Sequence, residues 1–194
     1  MKKSSKKPGM KSRNMEILMG ALIPLLMGFI IYTQFFRPSE VIGTSMYPTF
    51  DDGDKLWGTP YKPSMESDLQ RGDVVGIYSE ELGLKLIKRI IGLPGDHIEI
   101  KSLLDRETGY YRQGVWINGE YLKESYTKRL VTEKPLERQT FEVPEGHVFV
   151  LGDNRPYSID SRTLEQPYLP ISQIKEVVRG QLPDWVPNLR KLFH

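Results

Sequence analysis

Two residues carry the chemical interest of this chain. Ser45 stands in Gly43-Thr44-Ser45-Met46-Tyr47-Pro48-Thr49, and Lys88 stands in Leu86-Ile87-Lys88-Arg89-Ile90-Ile91-Gly92. A serine hydroxyl is too weak an acid to attack an amide unaided. It needs a base within hydrogen-bond reach and donors for the oxyanion. A lysine serves as that base only when its neutral amine is populated, which means lowering its pKa from about 10.4 to about 7–8. Burial among apolar groups does this, because desolvation penalises the ammonium form. The run around Lys88 is apolar on both faces except for Lys88 and Arg89, which point to opposite sides, so one of these charges is expected to be partly buried. Taken singly, Ser45 also suits an ordinary turn and Lys88 an edge strand.

A third polar cluster, Gly152-Asp153-Asn154-Arg155-Pro156-Tyr157-Ser158-Ile159-Asp160-Ser161-Arg162, follows an apolar run. Its short side chains bond readily to backbone, and by itself it reads equally as a loop held by Asx-type turns and an Asp160–Arg162 pair.

The elements that must position these groups are mostly strands. Asp73–Tyr78 follows a Gly72-Asp73 turn, Leu84–Ile91 is apolar, and His97–Lys101 alternates with period two. Gly114–Leu122 reads as a hairpin, with Asn118-Gly119 supplying the positive φ angles of a type I′ turn. Thr140–Val143 and His147–Leu151 flank the turn Pro144-Glu145-Gly146. A short helix is predicted near Ile171–Val178. The more polar stretch from about 101 to 139 reads as an inserted subdomain, and the loop 58–70, with Pro60 and Pro63, as mobile.

The N-terminus is different. Residues 1–15 carry six basic residues and no acid, and Ile17–Phe36 contains no charge. Twenty residues at about 1.5 Å each match the roughly 30 Å hydrocarbon core. The flank after the apolar stretch carries Glu40, Asp51, Asp52 and Asp54, so the positive-inside rule puts the N-terminus in the cytoplasm. A cleaved secretory signal is the competing reading, but Tyr32-Thr33-Gln34-Phe35-Phe36 offers no small-x-small site. The predicted organisation is a cytoplasmic basic segment 1–16, a transmembrane helix 17–36 and an extracytoplasmic domain 37–194. The tail 182–194, with Trp185, Leu189 and Leu192, suits either the membrane surface or ordinary packing.

Composition removes several classes of function. The 194 residues carry a net charge of +2, which implies no nucleic-acid surface. With no cysteine, thiolate nucleophiles, disulfides and Cys-bound zinc are excluded. The three histidines, His97, His147 and His194, are too widely spaced for a metal site on one element.

Together the clusters resemble type I signal peptidases of the bacterial, Gram-positive kind, a family of Ser–Lys peptidases. The matching segments are Ser45–Thr49, Gly72–Val75, Lys88–Asp96 and Gly152–Arg162, in family order behind an N-terminal anchor. The resemblance implies a mainly β fold: an antiparallel β-sheet catalytic domain preceded by one transmembrane helix. It implies Ser45 as nucleophile, Lys88 as general base, and Ser158 as the group orienting the Lys88 amine. Asp160 and Arg162 would brace the loop, with Arg89 and Asp73 structural. The Ser45 N–H would serve the oxyanion. Some relatives add a hydroxyl side chain two residues before the nucleophile. That position here is Gly43, which leaves Thr44 or a bound water as candidates for the missing donor. The implied substrates are the signal peptides of exported preproteins, cut after small-x-small sites, with membrane lipid as the other partner and no cofactor. Val41 and Ile87 are the expected pocket residues.

Two other readings are open to a chain of this kind. A membrane-anchored, non-catalytic β domain would be expected to lack Ser45, Lys88 or Ser158, and all are present. A peptidase dedicated to one precursor is barely separable from a general one by sequence. A Ser–His–Asp hydrolase using His97 or His147 is disfavoured, because both sit among strand residues.

Overall fold

The computed structural model describes the backbone of residues 10–62 and 69–183, with side chains from residue 15 onward except 31 and 33–35. Most of the basic N-terminal segment, part of the loop 58–70 and nearly all of the tail lie outside the described residues. The chain divides into two units, 1–36 and 37–194.

In the first unit, helix α1 runs Met10–Phe35 with Pro24 inside it. Its described apolar side chains, among them Ile17, Leu22, Leu25 and Phe29, are exposed. Among the described residues no helix is long and apolar enough to cross a membrane. The apolar stretch 17–36 includes side chains outside that description.

The second unit is two antiparallel sheets. Strands β1 (Arg37–Glu40), β2 (Lys55–Pro60), β3 (Val74–Ser79) and β4 (Leu84–Gly92) join β10 (His147–Leu151), β11 (Leu169–Pro170) and β12 (Ile174–Gln181) in a seven-stranded sheet ordered β1-β2-β12-β3-β4-β10-β11. Strands β5 (His97–Leu104), β6 (Tyr111–Ile117), β7 (Glu120–Tyr121) and β9 (Gln139–Glu142) form the other, ordered β7-β6-β5-β9, and β8 (Val131–Thr132) pairs with β6. The polar stretch 101–139 therefore supplies the outer part of β5 and all of β6 to β8. At its inner end, Ile98, Ile100, Val115 and Ile117 pack with Phe149 and Leu151 in one core cluster.

Strand β4 is apolar on both faces because it borders several cores. Leu86 and Ile90 pack with Val75, Ile77, Val148 and Val150. Ile91 joins the cluster of Phe149 and Leu151. Ile87 packs with Val41, Met46, Leu56 and Val74. Strand β10 divides its alternating residues between the first two clusters in the same way. At the end of β4, a Cβ on Gly92 would crowd Ile98 Cδ1 and Val143 Cγ2, so a larger residue there would have to displace packed side chains of the second core cluster. The hairpin turn is as predicted, with Asn118 at φ 52° and Gly119 at φ 86° between paired Ile117 and Glu120.

The predicted helix at 171–178 is a correction. Only Ile171–Gln173 form a 3₁₀ turn, and β12 follows, inserted between β2 and β3. Ile174 and Val177 enter the core cluster of Val75 and Ile77, and Glu176 is buried with its carboxylate 2.8 Å from the Lys85 ammonium. Pairing on both edges and β-branched packing override weak helical spacing.

Candidate active site

The Ser45 turn is held from both sides. Gly43 takes φ 84° and donates its N–H to Asp52 Oδ1 at 2.7 Å. Met46 is fully buried against Val41, Leu56 and Ile87, and its carbonyl accepts from the N–H groups of Thr49 (2.9 Å) and Phe50 (3.1 Å). The Tyr47–Pro48 peptide is cis. Ser45 is thus half-exposed on a segment whose next residue is anchored in the core.

Lys88 projects from the middle of β4, opposite Val75. Its Nζ lies 2.8 Å from Ser45 Oγ and 3.1 Å from the Ile87 carbonyl oxygen. The residue is 3% exposed. Burial lowers the Lys88 pKa from 10.5 to about 8; Asp160 and then Asp153 oppose the shift, and Arg162 adds to it. Ser45 and Lys88 are therefore within proton-transfer reach, with the amine partly neutral near physiological pH. Burial extends to both charges at the centre of β4, beyond the one expected. The Arg89 side chain is 11% exposed and forks onto Asp153, Nε to Oδ1 at 2.9 Å and Nη2 to Oδ2 at 2.5 Å. Its guanidinium stacks 4.0 Å from the Tyr126 ring centroid.

The loop 152–162 closes over this pair. Asn154 donates its N–H to the Ser45 carbonyl oxygen at 3.0 Å and its side-chain amide to the Thr44 carbonyl oxygen at 2.9 Å. Asp160, fully buried, accepts from the Gly152 N–H (2.9 Å) and from Arg162 Nε and Nη2 (2.8 Å each). Arg162 also donates to Gln113 Oε1 at 3.0 Å and to the Arg155 carbonyl oxygen at 2.9 Å. Ser158 lies beside the nucleophile turn: a Cβ on Gly152 would meet both Ser158 Oγ, at 2.2 Å, and the Ser45 carbonyl oxygen, at 2.5 Å. Ser158 Oγ is buried and has no hydrogen-bond partner among the described residues. The Lys88 amine is bonded to Ser45 and Ile87 instead.

A cleft of about 340 Å³ opens beside Ser45 and Lys88, and the expected Val41 and Ile87 both line it. Ile42, Met46, Leu84 and Leu86 line it too and were missed from sequence. Leu84 and Leu86 stand at period two from Lys88 on one strand, a signal that could have found them. Also missed was Glu124, buried under the loop and paired with Arg155. His97 lies against Glu142, and His147 Nδ1 lies 2.8 Å from the Glu145 carbonyl oxygen; neither lines the cleft. Among the described residues no group of three His, Asp or Glu could hold a metal ion.

A serine hydroxyl in contact with a buried lysine amine, beside an apolar cleft, is an arrangement in which the amine can act on the hydroxyl as a base. Residues 14–182 match the family described as Signal peptidase, peptidase S26. The chain is 35% identical over 154 residues to signal peptidase I P of Bacillus subtilis subsp. natto, covering 78% of this chain and 80% of that one. It is 34% identical over 155 residues to signal peptidase I of Bacillus licheniformis, with the same coverage. A solved signal peptidase I of Enterococcus faecalis is 29% identical, with a TM-score of 0.40 over 57% of this chain and 97% of that one. The chain belongs to the signal peptidase family, in its Gram-positive type I branch, and is a serine-type peptidase.

Proposed function

We propose that this protein is a membrane-bound endopeptidase that removes signal peptides from exported preproteins by a Ser45–Lys88 dyad. The observation that carries the reading is the 2.8 Å contact between Ser45 Oγ and a Lys88 amine whose pKa is lowered to about 8. The neutral amine accepts the Ser45 proton as Oγ attacks the scissile carbonyl carbon. The Ser45 N–H donates to the developing oxyanion. Collapse of the tetrahedral intermediate breaks the C–N bond, and the Lys88 ammonium returns the proton to the leaving amine. A water then repeats the sequence on the Ser45 ester, again with Lys88 as base.

In the same reading Ser158 supplies a hydroxyl to the Lys88 amine during the cycle, and Asp160 with Arg162 holds the loop that carries it. Val41 and Ile87 line the shallow apolar pocket that favours small side chains before the cut. Residues 1–16 lie in the cytoplasm, 17–36 span the membrane, and 37–194 work outside it. The 26-residue α1, with its exposed apolar side chains, and the charge asymmetry around it support that topology.

The test is cleavage of a preprotein bearing an Ala-x-Ala site by the full chain in detergent, alongside Ser45→Ala and Lys88→Ala. Cleavage at the site by the wild type alone is the expected result. Continued cleavage by Lys88→Ala would remove the lysine from the base role.

A further inference from the structure

The apolar cleft accounts for one side of Ser45. Its walls come from Glu40–Ile42, Ser45, Met46 and Leu84–Lys88, so the acyl half of a bound chain, the part retained on Ser45, belongs there. Tyr47, two residues past the nucleophile, and Asn154–Tyr157, whose Asn154 N–H bonds the Ser45 carbonyl oxygen, do not line that cleft. Between them stands Lys128, its ammonium 5.3 Å from the Tyr47 ring centroid and 5.9 Å from that of Tyr157. Both rings are open to solvent, Tyr47 at 40% and Tyr157 at 69% exposure.

Backbone bonds hold Lys128 in register with the nucleophile. Its N–H donates to the Asp153 carbonyl oxygen at 2.9 Å, and its carbonyl oxygen accepts from the Arg155 N–H at 3.0 Å. It forms a parallel bridge with Asn154, whose own N–H donates to the Ser45 carbonyl oxygen at 3.0 Å. None of the ion pairs among the described residues includes Lys128. A cation flanked by aromatic faces, fixed two hydrogen-bonded steps from the nucleophile and without a carboxylate of its own, matches an anionic side chain on the incoming substrate.

Resting on the peptidase reading above, we propose that Lys128, between Tyr47 and Tyr157, binds an acidic side chain within the first three residues after the scissile bond. It thereby selects for preproteins whose mature chain begins with a negative charge. Exposed ion pairs of this kind correspond to a rate preference of about two- to fivefold.

The experiment uses the full chain in detergent with preproteins that differ only in Glu, Gln or Lys, scanned through the first three mature positions. At one position the wild type is expected to show a kcat/KM about two- to fivefold higher for Glu than for Gln. That ratio should shrink as salt rises from about 50 to about 500 mM. Lys128→Gln, which keeps the backbone bonds, should bring the ratio to about one, and Lys128→Glu should favour Lys over Glu. A wild type indifferent to charge at all three positions overturns the proposal, and so does a preference that survives in Lys128→Gln. If the wild type cuts none of the substrates, the peptidase reading itself fails.

Discussion

Gly152 and Ser158 approach so closely that a Cβ on Gly152 would lie 2.2 Å from Ser158 Oγ, and the same Cβ would sit 2.5 Å from the Ser45 carbonyl oxygen. The loop after β10 therefore touches the nucleophile turn through backbone that carries no side chain. Gly152→Ala must push the Ser45 peptide or Ser158 out of place, and displacements of about 1 Å at a reacting centre lower rates by about a hundredfold. We expect a loss of that size in preprotein cleavage. A rate near wild type would mean that the contact has no part in positioning Ser45.

The pKa of Lys88 sets the pH dependence. Log rate should rise with unit slope at low pH and level off above about 8, where the amine is neutral. A flat profile through that value would count against a lysine base.

The same shift acts on stability. Between about 8 and 10.5 the unfolded chain binds a proton that the native Lys88 does not, so native stability rises with pH across that window. At pH 7 the buried ammonium carries its full desolvation penalty. Lys88→Met should therefore be inactive yet more stable at pH 7, by on the order of 2–3 kcal/mol. Denaturant unfolding at pH 7 and at pH 10 checks this, with the advantage of the Met variant narrowing at the higher pH.

Asp160 raises the Lys88 pKa and accepts bonds from Gly152 and Arg162. Asp160→Asn keeps the shape and removes the charge. The pH–rate profile should move to lower pH, and stability should fall by about 3–5 kcal/mol, because Arg162 is left buried without its carboxylate. An unmoved profile in a folded variant would exclude electrostatic coupling between the two residues.

Ser158→Ala separates a structural role from a functional one. The hydroxyl is buried and has no described partner, so its removal should leave thermal stability unchanged or slightly raised. If it serves the Lys88 amine in the cycle, kcat should fall at least about tenfold. Wild-type kcat in Ser158→Ala would remove it from the proposed site.

Local features of the chain were legible in the sequence. A β-type run after the Gly72-Asp73 turn marked β3, an apolar run marked β4 and alternation marked β5, each to within a few residues, and Asn118-Gly119 marked its hairpin, because these signals depend only on neighbours along the chain. The apolar character of β4 on both faces announced burial around Lys88 without saying of which charge, since period two separates the faces and not their surroundings. Residues 171–178 were misread, because spacing alone cannot show that Glu176 would meet Lys85 across a sheet. Glu124 and Lys128 carried no signal, because each gains meaning only through residues of the loop 152–162.

By itself, then, the sequence determined the chemical inventory of the protein: a serine in a glycine–proline turn, a lysine in an apolar strand, a polar loop and a charge-free N-terminal stretch. Tertiary structure alone decided that residues 43 positions apart lie 2.8 Å from each other and that the amine is buried enough to lose its proton near pH 8. A pKa depends on what surrounds a group in space. For Lys88 those surroundings are the Ser45 turn, its own strand β4 and the carboxylates of the loop 152–162, which meet only when β1, β2, β4 and β10 assemble in the seven-stranded sheet.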